Sequence, residues 1–208
     1  MSKKLKRLLL SDLMLDISNT KRIAYIAVMT ALCVVCNMFF EFKLADTQFS
    51  FTIFFSAMTG MIIGPLFGFV AGFLGDLVGF LYNSGGFVYY PWIGISMGLV
   101  AFISAIVVNG FFFKFRGGLY VKLAIVSVLT FAICTIAINT TCFWILYAGR
   151  KVPYFVYVGS RLFVGGQIWN SLVNYALLFA LFPLVLRIRD LLVKSTGTTS
   201  NTEEEIVE

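Results

Sequence analysis

The chain has 208 residues, of which 60% are hydrophobic, 17% aromatic and only 12% charged. A soluble domain carries about 25% charged residues, so this reads as an integral membrane protein with no length left for a soluble catalytic domain. The net charge of +6 then reads as an orientation signal at a membrane rather than as a nucleic-acid surface.

Residues 1–22 form a basic segment with Lys3, Lys4, Lys6, Arg7, Lys21 and Arg22, in which Leu8, Leu9, Leu10, Leu13, Met14 and Ile17 alternate with polar residues near helical spacing. It reads as a short amphipathic helix on the membrane face or as a solvated tail, and no cleavable leader is expected. The first predicted helix, Ile23–Phe40, carries a stripe of Ala24, Ala27 and Ala31. A polar connection (Glu41, Lys43, Asp46, Thr47, Gln48) leads to a second helix, Phe49–Ile63, and a Gly64-Pro65 turn separates it from a third, Leu66–Tyr82.

Across that turn runs a ladder of glycines at 60, 64, 68 and 72, followed by Ala71, Gly75 and Gly79. Residues four apart share a helix face. In lipid the backbone must satisfy its own hydrogen bonds and is helical despite the glycines, and small residues let a second backbone come close. The third helix is therefore expected to be the packing centre. Asp76 lies within it, either bracing a neighbouring helix or contacting a substrate or ion.

The loop Asn83–Trp92 is Gly-rich and aromatic. A fourth helix, Ile93–Phe113, has Gly94, Gly98, Ala101 and Ala105 on one face; a loop with Lys114, Arg116 and Lys122 follows. The fifth helix, Leu123–Tyr147, has Asn139-Thr140-Thr141 toward its far end. The sixth, Tyr154–Leu186, contains Arg161 and the run Gly165-Gly166-Gln167-Ile168-Trp169-Asn170. The transmembrane domain is thus residues 23–190, and 191–208, rich in Ser and Thr and then acidic, reads as a disordered tail.

With the N-terminus inside, the basic residues at 3, 4, 6, 7, 21, 22, 114, 116, 122, 187, 189 and 194 are cytoplasmic and only Lys43, Arg150, Lys151 and Arg161 are outside. That asymmetry obeys the positive-inside rule. The expectation is an all-α bundle of six transmembrane helices in a bacterial plasma membrane, both termini cytoplasmic.

The chain has no His, no Gly-rich loop ending in Gly-Lys-Ser/Thr, no serine elbow and no paired carboxylates within one segment. No catalytic residue, cofactor or metal site is expected. Cys33, Cys36, Cys134 and Cys142 sit in apolar stretches and read as inert thiols. Transport, a channel or a scaffold remain.

Three outer elements are candidates for a binding site. They are the aromatic loop with Phe87, Tyr89, Tyr90 and Trp92; the fifth helix from Asn139 to Tyr147, including Trp144; and the sixth from Arg161 to Asn170. A flat heteroaromatic with a carboxylate suits them, with rings on Tyr or Trp, polar ring atoms on Asn139 and Gln167, and the carboxylate on Arg161. The competing readings are an interfacial aromatic belt, a snorkelling Arg161, and interhelical hydrogen bonding by Gln167 and Asn170.

The motifs Ala27-Val-Met-Thr-Ala31, Gly60 through Asp76 with Gly79, Gly85-Gly-Phe-Val-Tyr-Tyr-Pro91, and Ile138-Asn-Thr-Thr-Cys-Phe-Trp-Ile-Leu-Tyr-Ala-Gly149 followed by Arg161 resemble the substrate-capture (S) subunits of energy-coupling-factor (ECF) vitamin transporters, most closely the folate-type branch (FolT-like). The resemblance implies a six-helix S-component fold that binds folate at its outer face. It also implies partners: a transmembrane coupling subunit, EcfT, on which Ala27 and Ala31 would dock, and two cytoplasmic ATPases that supply the energy. The chain departs from the branch at Val158-Gly159-Ser160 before the Arg, at Tyr90-Pro91-Trp92, and in the Gly165–Asn170 run. The alternatives are the same machinery with another anionic vitamin, such as pantothenate, or a self-sufficient carrier or channel. The broken midplane helices common in carriers are not expected.

Overall fold

The structure is a computed structural model that describes residues 10–15, 18–44, 47–82, 88–109, 118–149 and 151–204, excepting the side chains of residues 12, 13, 41–49, 185 and 188 onward. Phe87, Lys3, Lys4, Lys6, Arg7, Lys114, Arg116 and Arg150 lie outside the described residues, as do the side chains of Lys43, Arg189 and Lys194. After a single turn, Asp12–Leu15, the elements are α1 (Asn19–Phe39), a hairpin of β1 (Glu41–Leu44) and β2 (Thr47–Ser50), α2 (Thr52–Ile63), α3 (Pro65–Tyr82), α4 (Pro91–Asn109), α5 (Leu119–Ala148), α6 (Tyr154–Val164) and α7 (Gln167–Glu204). The strands pair antiparallel with Glu41 opposite Ser50, where the sequence suggested only a polar connection.

Among the described residues, five helices are long and apolar enough to cross a membrane: α1, α3, α4, α5 and the Gln167–Leu184 part of α7. Two expected spans are different. The second, α2, has only 12 residues, about 18 Å of helix against a hydrocarbon core of about 30 Å. The sixth is two helices, because the chain breaks at Gly165–Gly166, where Gly166 takes φ 66°, a left-handed conformation natural to glycine. Beyond the membrane segment α7 runs on as helix to Glu204 where a disordered tail was expected. Past Pro183 that stretch meets no further proline and one glycine, Gly197.

The most deeply buried helix is α2, while the third helix, expected as the packing centre, packs along α1, α2 and α4. Ten of its residues are buried: Thr52, Ile53, Phe54, Ser56, Ala57, Met58, Thr59, Gly60, Met61 and Ile63. Buried helix ends must find hydrogen-bond partners within the protein. At the first turn the Phe54 amide donates to Asn174 Oδ1 at 2.9 Å and the Ser50 amide to Asn170 Oδ1 at 3.1 Å, while Asn174 Nδ2 donates to the Ser50 carbonyl at 2.7 Å. At the last turn the Ser11 amide donates to the Ile63 carbonyl at 3.1 Å and the Ser11 hydroxyl to that of Ile62. Residues 10–15 are thus built into the bundle, with Ser11 and Met14 fully buried; residues 1–9 of the basic segment lie outside the described residues. The Arg22 guanidinium holds residues 10–15 by donating to the Met14 carbonyl at 2.8 Å.

The glycine ladder supplies the walls around α2. A Cβ on Gly60 would meet the Ala101 carbonyl oxygen at 2.0 Å, on Gly68 the Gly60 Cα at 2.6 Å, and on Gly72 the Met97 carbonyl oxygen at 2.8 Å. These are backbone contacts that cannot swing aside. On α1, Asn37 joins three helices, donating to the Gly75 carbonyl at 2.9 Å and accepting from Thr52 Oγ1 at 2.9 Å.

Gly60→Leu is expected to lower the thermal midpoint in detergent sharply or prevent accumulation, beyond the about 1–3 kcal/mol usual for overpacking a core. Gly159→Ala, at a helical position with nothing within 4 Å, should leave the midpoint unchanged or raise it, by up to about 1 kcal/mol of helix propensity. Scanning fluorimetry of the two variants checks both.

Candidate functional site

Three elements converge on one aromatic cluster. Tyr90, in the loop before α4, stacks on Trp92 of α4 at 4.7 Å between ring centroids and meets Phe143 of α5 edge-on at 5.6 Å. Trp92 meets Phe143 at 5.8 Å, and Phe143 stacks on Tyr147 at 5.7 Å. The Tyr90 and Tyr147 hydroxyls bond to each other. From α6 the guanidinium carbon of Arg161 lies 4.1 Å above the Phe143 ring.

The backbone at this cluster is unusual. Residues 131–140 and 144–148 of α5, and 160–164 of α6, wind as wide turns with five-residue hydrogen bonds. The Thr140 hydroxyl donates to the Thr135 carbonyl at 2.8 Å, and the Gly165 amide to that of Ser160 at 3.0 Å. Hydroxyls that bond back into the ladder loosen an α-helix, and such wide turns occur often at functional sites. Asn139, Tyr147 and Arg161 each lie in one.

Three polar atoms here are buried and have no hydrogen-bond partner among the described residues: Trp92 Nε1, Asn139 Oδ1 and Arg161 Nε. They are a neutral donor, an acceptor and a cationic donor. Leaving such groups unsatisfied costs about 1–3 kcal/mol each, so an arrangement of three invites a ligand. Asn139, Phe143 and Tyr147 are four apart and share the face of α5 that meets the cluster.

Of the residues singled out from sequence, Tyr90, Trp92 and Arg161 are brought together, with Asn139 one turn deeper on the same α5 face. Trp144 is turned elsewhere: its indole N–H donates to the Val152 carbonyl at 2.8 Å and its ring meets Tyr154, bracing the turn between α5 and α6. Tyr89 points toward α3, where its hydroxyl donates to Asp76 Oδ2 at 3.2 Å and its ring packs on Phe80. Burial first, and the Asp76 carboxylate next, push the Tyr89 phenol well above its ordinary range, so it stays a neutral donor. Gln167 is half-buried at the first turn of α7, across the Gly165–Gly166 break. Asn170 belongs to the cap of α2. Ala27 and Ala31 are exposed on α1 beside Ala24, Val28 and Val35. Phe143 was missed; its signal was its spacing of four from both Asn139 and Tyr147.

A family model for the S component of ECF-type riboflavin transporters matches residues 17–182. The chain belongs to that family. S components are substrate-binding subunits of membrane transporters rather than enzymes. Among solved structures, the crystal structure of FolT bound with folic acid matches this S component with a TM-score of 0.60 and 21% identity, over 79% of this chain and 94% of that one; the likeness is one of fold. No curated protein matches.

Tyr89→Phe in this S component should lower the thermal midpoint, since a part-buried hydrogen bond to a carboxylate is worth about 1.5–3 kcal/mol, while leaving ligand affinity within about twofold. Parallel melting curves and binding titrations check this; a large affinity loss at an unchanged midpoint would place Tyr89 in the site.

Proposed function

We propose that this S component captures a flat, ring-bearing vitamin with a carboxylate, folate first, at the outer face of the membrane. The observation that carries the reading is the trio of unpartnered buried atoms, Trp92 Nε1, Asn139 Oδ1 and Arg161 Nε, set around stacked aromatic rings. A pteridine offers a face to Tyr90 and Trp92 and edge donors and acceptors to Asn139 and Trp92. Arg161 has no carboxylate partner among the described residues, which favours an incoming anion. Pantothenate would use Arg161 but has no ring for the aromatic faces. Riboflavin is the second reading, favoured by the family description; it would use the rings and Asn139 but gives Arg161 no anion.

In this proposal both termini face the cytoplasm of a bacterium, and transport is driven by partners: a transmembrane coupling subunit and two ATPases. The exposed small-residue face of α1, with Ala27 and Ala31, is the proposed docking surface. Close helix approach in lipid depends on such residues, and here they are exposed among the described residues.

The reading is tested by following tryptophan fluorescence of the purified protein during titration with folate, riboflavin and pantothenate. Folate should saturate at sub-micromolar concentration, and Arg161→Gln should weaken it by about 1.5–3 kcal/mol, the worth of a charged hydrogen bond. Saturation by riboflavin alone, unaffected by Arg161→Gln, would replace folate with the neutral vitamin. Ala27→Leu combined with Ala31→Leu should abolish vitamin uptake by cells while binding persists in the purified protein. Loss of binding would mean that the face packs inside the subunit.

A further inference from the structure

The guanidinium of Arg161 is held in an unusual way. A buried cation is normally paired with a carboxylate, because desolvating an unpaired charge is costly. Here its close neighbours are the Phe143 ring, 4.1 Å from the guanidinium carbon, and Tyr157, four residues earlier on α6, whose side chain hydrogen-bonds to it. The two kinds of partner differ in what they leave over. A carboxylate binds the edge of a guanidinium, using its in-plane N–H donors and cancelling its charge. An aromatic ring beneath the guanidinium attracts the cation through the ring's negative face and uses none of those donors, which all lie in the guanidinium plane.

We propose that Phe143 is the positioning residue that sets the charge preference of the site: it holds the Arg161 guanidinium aimed without using its N–H donors, so that those not bonded to Tyr157 are left for the ligand. This rests on the anionic-vitamin reading above. The ring can do so because it is itself fixed, with Tyr90 at 5.6 Å, Trp92 at 5.8 Å and Tyr147 at 5.7 Å. Those neighbours come from the loop before α4, from α4 and from α5, so the orientation of the cation depends on the assembled aromatic cluster. Without the ring, a long cationic side chain near the outer face snorkels toward water and its donors leave the site.

The test compares folic acid with pterin, the same bicyclic ring without the p-aminobenzoylglutamate that carries the carboxylates, on the full-length protein in detergent, with a melting curve for every variant. The wild type should prefer folic acid by tenfold or more. Phe143→Leu should cut folic acid affinity about tenfold yet change pterin affinity less than threefold, because the loss is one of charge recognition. Phe143→Trp, which keeps an aromatic face, should retain most of the preference. Phe143→Leu added to Arg161→Gln should cost no more than Arg161→Gln alone, since the ring acts through the cation. If Phe143→Leu does not fold, Phe143→Met carries the same comparison. Equal losses for the two ligands, or additive losses in the double variant, overturn the positioning role of Phe143 while leaving the vitamin reading intact. A wild type that binds pterin and folic acid equally, or neither, overturns the anionic-vitamin reading and this inference together.

Discussion

The architecture depends on a helix too short to cross the membrane it sits in. At 12 residues, α2 cannot bring both ends to water, and a buried helix end with unpaired amides or carbonyls is unstable in an apolar medium. Its neighbours meet that requirement from outside. Asn170 and Asn174 of α7 cap one end from more than a hundred residues away in sequence, and Ser11 of the N-terminal segment caps the other. The distant chain ends are therefore joined through one internal helix. The same burial demands backbone-to-backbone contact around α2, which Gly60 and Gly68 permit, as Gly72 does between α3 and α4.

That arrangement divides the bundle by character. Around α2, the helices α1, α3 and α4 meet at small residues, and Asn37 ties α1 to α2 and α3. The α5–α6 side is looser. Its wide turns, its break at Gly165–Gly166 and an α6 in which little besides Leu162 and the Arg161 Nε is buried depart from regular helix where the polar atoms gather. Strain and unsatisfied groups are tolerated where the surrounding structure is rigid enough to hold them, and ligand sites draw on the less constrained parts of a fold. A rigid half that presents α1 and a more adaptable half that carries the aromatic cluster suit a subunit that binds on one surface and docks on another.

Much of this was legible from residue types. Glycines four apart can be read without a structure, because no other residue lets backbones touch. Trp92, Asn139 and Arg161 stood out as polar or amphipathic groups in apolar helices. Phe143 did not, because it is one of 23 phenylalanines and only its neighbours distinguish it. Tyr89 and Tyr90 look alike in sequence, yet adjacent side chains diverge, and one meets Asp76 while the other meets Trp92. Trp144 was chosen by type over the Phe143 beside it, but its N–H was committed to the Val152 carbonyl. The shortness of α2 was hidden because an apolar run from 49 to 63 looks continuous, and hydropathy does not mark where a helix begins. Gly165-Gly166 was visible, but a pair of glycines in a membrane helix can pack or break, and only the left-handed Gly166 decides between them.

The central claim is that a cation with no counter-charge among the described residues, near aromatic rings and two polar atoms likewise unpartnered there, waits for a carboxylate on a flat ring. The most direct measurement is mass spectrometry of the small molecules that remain with the protein when it is extracted from its native membrane and purified without added vitamin. The account predicts a ring-bearing carboxylate in near-stoichiometric amount, lost from Arg161→Gln. A neutral or ringless molecule, or one retained equally by that variant, would contradict it.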